Sequence, residues 1–200
     1  MRCRAIIYRL FIVLALFACL LFSTTLRRET ARAQVISARA GLVTRVDGEV
    51  FYRPGGGSEV RQLQKGVKLG DGDTVLVTEK GRAEWTLNPD SYLQVGAESF
   101  VRVRETSIDR MHFDVERGEV FVIVSRLERD ASLVIHAPPA LLTVVKPGRY
   151  RFRVAENGQT EAAVDKGELQ YVDNQGKQVK VKNRMRINFY NVEKLIIHGT

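Results

Sequence analysis

The sequence predicts an all-β domain, a twisted solenoid-like or sandwich-like stack of short strands behind an N-terminal hydrophobic leader helix. Two observations carry the fold class. From Gly41 onward apolar and charged residues alternate with a period of two, and no stretch sustains a helical period for three turns. Breaks at Gly81, Gly118, Gly148, Asn157-Gly158 and Gly176 come too often for long helices. A third observation says how the fold must hold: Cys3 and Cys19 both lie in the leader, so the domain relies on its core and not on disulfides.

Residues 1–33 have the layout of an export segment. Arg2, Arg4 and Arg9 precede the apolar run Leu10–Phe22, and Ala31-Arg32-Ala33 offers a small-x-small site with cleavage after Ala33. The run is nearer the ~7–15 residues of a signal core than the ~20 of a membrane span. Thr24, Thr25 and Leu26 could lengthen it, so a cleaved signal peptide and an anchor through residues 10–26 both stay open. Either places the domain outside the cytoplasm, in the periplasm or on the outer face of the inner membrane. Residues 34–40 read as a linker, 41–190 as the β domain and 191–200 as a C-terminal tail. Of the net charge of +8, the leader's six Arg and one Glu supply +5, leaving +3 for the remainder, so charge is poor support for nucleic-acid binding.

Along the domain, Leu42, Val46, Val50 and Tyr52 alternate with Arg45, Asp47, Glu49 and Arg53, with Phe51 out of phase. Pro54–Ser58 is a loop. Leu93, Val95, Ala97, Val101 and Val103 share a face opposite Gln94, Glu98, Arg102 and Arg104. Glu119–Val124 is so rich in apolar and β-branched residues that it reads as a strand covered on both faces. Tyr150, Phe152 and Val154 alternate with Arg149, Arg151 and Arg153, and Val179, Val181, Met185 and Ile187 with Lys180, Lys182, Arg184 and Arg186. A short motif recurs at irregular spacing: Asp47-Gly48-Glu49-Val50, Arg117-Gly118-Glu119-Val120, Pro147-Gly148-Arg149-Tyr150 and Lys166-Gly167-Glu168-Leu169. Each puts Gly at a turn, then a charge outward and an apolar residue inward.

No catalytic, metal or cofactor site emerges. Asp71 and Asp73 sit at i and i+2 like the start of a calcium loop, but Arg82 occupies the place of the closing Glu, and Gly-Asp is what turns prefer. His112, His136 and His198 lie at no metal-ligand spacing. Arg53–Glu59 lacks the Lys-Ser/Thr ending and helix of a phosphate loop, and no helix follows Ser58 to make a nucleophile elbow. The protein is therefore read as not an enzyme. The strongest candidate surface is basic: Arg149, Arg151 and Arg153 on one strand face, Lys180, Lys182, Arg184 and Arg186 on another. If those strands are neighbours, seven cations meet where an anionic lipid or cell-wall polymer could bind; otherwise they are solvated faces that guard a sheet edge. Without interleaved aromatics for stacking, nucleic acid is excluded as a partner.

The succession Gly72-Asp73, Gly81-Arg82-Ala83, Glu98-Ser99, Arg117-Gly118-Glu119-Val120 and Gly148-Arg149-Tyr150 resembles the FecR domain, over roughly Gly41 to Ile187. The resemblance implies a bacterial envelope domain, all-β, used for protein contact, sensing or scaffolding and carrying no catalytic residues. Thr78 or Val77 fills a place where the family has an earlier Thr, and Pro89-Asp90 replaces an Asp-Gly turn. Only nine residues precede the apolar run, so the cytoplasmic anti-sigma segment of the regulators that name the family is not expected here. The implied function is a non-catalytic exported module with an envelope protein partner. The alternative is an adhesive domain working through the basic strand faces.

Overall fold

Alternation becomes strand throughout the computed structural model, which describes residues 40–107, 109–173 and 175–190. The expected leader, its cleavage site after Ala33, residues 34–39 of the linker and the tail at 191–200 lie outside the described residues. In chain order the strands are β1 (Val43–Asp47), β2 (Val50–Arg53), β3 (Arg61–Gln62), β4 (Thr74–Val77), β5 (Arg82–Asn88), β6 (Ser91–Val95), β7 (Phe100–Thr106), β8 (Arg110–Val124), β9 (Ser132–Ala137), β10 (Ala140–Val144), β11 (Gly148–Val154), β12 (Gln159–Lys166), β13 (Glu168–Val172), β14 (Gln178–Lys182) and β15 (Met185–Tyr190). No helix occurs among the described residues, and so none long and apolar enough to cross a membrane.

Two layers are built from one continuous sheet. The first layer runs β1-β5-β6-β8-β11-β12-β15 and the second β14-β13-β10-β9-β8-β7-β4-β2-β3. Strand β8 belongs to both: Arg110–Arg117 pairs with β7 and β9 in the second layer, Gly118–Val124 with β6 and β11 in the first. All named pairs are antiparallel except β8 with β9. A single core fills the gap, with Trp85, Leu93, Val122, Phe152 and Val164 from the first layer and Val75, Val103, Phe113, Ile135 and Leu142 from the second. The Trp85 and Phe113 rings meet across it, centroids 6.1 Å apart and tilted by 51°. Inner faces of two sheets sharing a core make a sandwich, which decides between the two arrangements left open by the sequence.

The recurring Gly motif marks the corners. At Gly48 the chain leaves the first layer for the second, at Gly118 it returns, at Gly148 it returns again, and at Gly167 it leaves. The apolar residue two places later is buried each time: Val50, Val120, Tyr150 and Leu169 are at most 2% exposed. Gly118 shows why the position takes glycine: its φ is +92°, and a Cβ there would lie 2.1 Å from Ser99 Oγ. That hydroxyl accepts the Glu119 N–H at 3.0 Å, pinning the bend.

These corners correct three strand readings. The alternations over 42–52, 93–103 and 179–187 are each two strands, divided between layers at Gly48, Glu98 and Arg184, all with positive φ (69°, 53° and 60°). The alternation survives the corner because both strands turn the same parity of residue toward one core, so nothing in the pattern announces the break. A fourth correction concerns Glu119–Val124. Val120, Val122 and Val124 are buried, but Phe121 is 37% exposed, so this strand is covered on one face only.

The Gly-Asp doublet is a turn. Asp73, 8% exposed, accepts the Gly55 and Gly70 N–H groups at 2.7 and 2.9 Å, one on each carboxylate oxygen. Asp71 accepts the Thr106 N–H at 2.9 Å. Both carboxylates tie loops to the start of β4 and the end of β7.

Candidate partner-binding face

Five of the seven predicted cations gather on the outer face of the first layer. On β11 the inward residues Tyr150, Phe152 and Val154 are buried and Arg149, Arg151 and Arg153 point out. Arg186 of β15 lies one strand further, across Ala163 of β12, and Arg184 sits in the β14–β15 turn. Lys180 and Lys182 do not join them. The turn at Asn183-Arg184 puts β14 in the second layer, beside β13. Seven cations on one surface is thus not what the fold builds, because a run that reads as one strand is a hairpin whose arms belong to different layers.

Three of the gathered five are ion-paired. Arg149 Nη2 pairs with Asp165 at 2.5 Å. Glu161 takes Arg151 Nη2 at 2.7 Å on one oxygen and Arg186 Nη1 at 3.1 Å on the other. Lys180 and Lys146 share the Glu168 carboxylate at 3.3 and 2.8 Å. That hydrogen bond from Lys146 is the main reason the Glu168 carboxyl is held below its usual range, against burial, which raises it. Arg153, Lys182 and Arg184 make no ion pair among the described residues. They are scattered: Arg153 at one end of β11, Arg184 in the turn, Lys182 on the other layer.

The floor between the arginines is what the sequence concealed. Directly opposite residues form a row across six strands: Glu84 of β5, Gln94 of β6, Phe121 of β8, Arg151 of β11, Ala163 of β12, then Arg186 of β15. Polar members are locked together, since Gln94 Nε2 donates to Glu84 at 2.7 Å and Thr44 Oγ1 donates to the other Glu84 oxygen at 2.7 Å. Phe121 stands in the middle, exposed. Two open grooves of about 1030 and 440 Å³ meet at Gln94 and Phe121. The larger is walled by Arg82, Arg117, Arg153 and Glu156; the smaller is lined by Ile123 and Ala163 between Arg149, Arg151, Arg184 and Arg186. An exposed aromatic side chain framed by arginine is the composition of a contact surface, not of a solvated sheet face. The sequence does not mark Phe121 as exposed, because an unbroken apolar run has the same pattern whether or not a second layer covers it.

Comparison with known proteins agrees with the fold. The family described as FecR protein matches residues 73–170, from the Gly-Asp turn into β13, a shorter span than the Gly41–Ile187 likeness read from the sequence. Two crystal structures, each provisionally named as an anti-sigma factor from Parabacteroides distasonis ATCC 8503, align with a TM-score of 0.51. They are 17% and 16% identical over 60% of this chain and 55% of that chain. This chain therefore matches little more than half the length of those proteins, and the likeness is one of fold. No curated protein matches the chain.

Proposed function

We propose that this protein, whose residues 73–170 match the FecR family, is a non-catalytic, exported FecR-like module that binds a protein partner at the bacterial cell envelope, for sensing or scaffolding. The carrying observation is the trough on the outer face of the first layer, with Phe121 exposed at its centre between ion-paired arginines. Fixed, paired guanidiniums present hydrogen-bond donors without the desolvation cost of lone charges, and an exposed aromatic supplies apolar area at low entropic cost. The location follows from the leader, with the domain in the periplasm or tethered to the membrane through residues 10–26. The provisional naming of the structural neighbours as anti-sigma factors favours a regulatory protein contact over a metabolic role.

A photocrosslinking residue placed at Phe121 should capture one discrete partner in cells that express the protein natively, while the same residue at Leu141 on the second layer, itself 53% exposed, should not. Equal capture at both sites, or none at Phe121, would remove this face from the proposal.

The alternative, adhesion to anionic lipid or cell-wall polymer, draws on the cations without ion partners, Arg153, Lys182 and Arg184. Salt-dependent cosedimentation with vesicles containing anionic lipid, abolished by reversing Arg153, Lys182 and Arg184, would favour it over a protein partner.

A further inference from the structure

The outer face of the second layer carries a cluster unrelated to the trough. Asp114 of β8 is 4% exposed although its side chain lies on the outer face, because its neighbours close over it. Arg104 of β7 occupies its Oδ2. Its Oδ1 is approached from two sides, by His112 Nε2 at 3.5 Å from the same strand and by His136 Nδ1 at 3.4 Å from β9. Both distances are too long for a good hydrogen bond, and His112 Nε2 is buried with no partner. One carboxylate oxygen thus faces two imidazoles and bonds neither well.

The surrounding charges are balanced only while both imidazoles are neutral. On β7 and β8 Arg102 pairs with Glu116 at 3.2 Å and Arg110 with Glu105 at 3.0 Å, and Arg104 takes Asp114. From β10 the residue opposite His136 is Leu141, which offers no charge. Every carboxylate of the patch is already matched by an arginine, so each proton taken up adds a positive charge with no carboxylate of its own. The first imidazolium must compete with Arg104 for Asp114, and a second would face the first across one oxygen. Burial, the largest influence on His112, already favours its neutral form.

We propose that His112, His136 and Asp114 form a proton-sensing site on the β8–β9 seam: neutral imidazoles keep the seam closed, and acid loads it with uncompensated positive charge that loosens β9. The seam suits this role, being the one parallel pairing among the described strands and slightly weaker per residue than its antiparallel neighbours. The site makes the proton a ligand of the domain, independent of what the trough binds.

Hydrogen exchange of the full chain tests it. Amides of Ser132–Ala137, corrected for intrinsic rate, should lose about tenfold in protection between pH 7.5 and 5.0, while the β5–β6 pair changes less. In His112→Gln/His136→Gln the loss should vanish. Unchanged protection in the unsubstituted protein, or the same loss in the double variant, would overturn the proposal. Carbon-resolved NMR titration of the unsubstituted imidazoles avoids any dependence on variant folding. A His112 curve protonating below an ordinary imidazole supports the site; a His112 curve at the ordinary midpoint refutes it.

Discussion

Single residues here do most of their work through the backbone. Asp73 is the example, because each carboxylate oxygen holds a loop N–H from a different turn, Gly55 and Gly70. Asp73→Asn keeps one acceptor but turns an amide N–H toward the other donor. The loss of charge-assisted bonds to a nearly buried group should cost about 2 kcal/mol, seen as a lower midpoint in urea. Added calcium should move neither protein's midpoint, and a calcium-dependent gain that disappears in the variant would show that the turn is an ion site after all. The choice of turn residues was legible here: Gly and Asp are favoured in turns for reasons local to the chain. Which N–H groups Asp73 reaches was not, since Gly55 is far off in sequence. His112 and His136 show the same limit. Their spacing in the chain is uninformative, and only the parallel pairing of β8 with β9 brings both to one carboxylate oxygen.

At the level of elements, the corner glycines decide how strands are shared between layers. Gly118 combines a positive φ with a Cβ site 2.1 Å from Ser99 Oγ and 2.6 Å from Ser99 Cβ. Gly56 has a similar φ of +75° but open space around its Cβ site. Gly56→Ala should therefore cost only the left-handed backbone penalty, about 1 kcal/mol. Gly118→Ala should cost about 3 kcal/mol or more, since the bend of β8 must move as well. Equal losses in the two variants, measured by chemical denaturation, would show that the Ser99 contact yields freely. The same corners explain the misread strands. A chain crossing from one layer to the other keeps its inward parity, so the apolar pattern runs on unbroken through Gly48, Glu98 and Arg184. Glycine at Gly48 hints at such a break; Glu98 and Arg184 give no hint, because non-glycine residues hold positive φ there.

For the molecule as a whole, acid should act in two steps whose sign follows from burial and pairing. His112 is disfavoured as an imidazolium in the fold, so below its ordinary value of 6.5 the unfolded chain takes the proton first and stability falls. Glu168 is held below its ordinary value of 4.5 by Lys146, so the stability it lends is present above 4.5 and is lost as pH falls through its lowered value. Urea midpoints taken from pH 8 to pH 3 should be flat at first, decline from about 6.5 and decline again below about 4.5. His112→Gln should shrink the first step and Glu168→Gln should remove the second. A midpoint that rose from pH 7 to pH 5 would contradict the assignment of His112. By itself the sequence determined the all-β class, the corner motif, most of the inward residues and the FecR likeness, because period-two alternation and glycine placement are local consequences of strand and turn geometry; Ala97 and Met185, beside corners, are exposed against that pattern. Tertiary structure alone decided that the stack is a sandwich, that Lys180 and Lys182 part from the other cations, that Phe121 is uncovered and that two histidines meet at Asp114. Each of those depends on which strand lies beside which, and partners distant in the chain are chosen by the shared core, whose inward residues look alike in sequence whichever layer they enter.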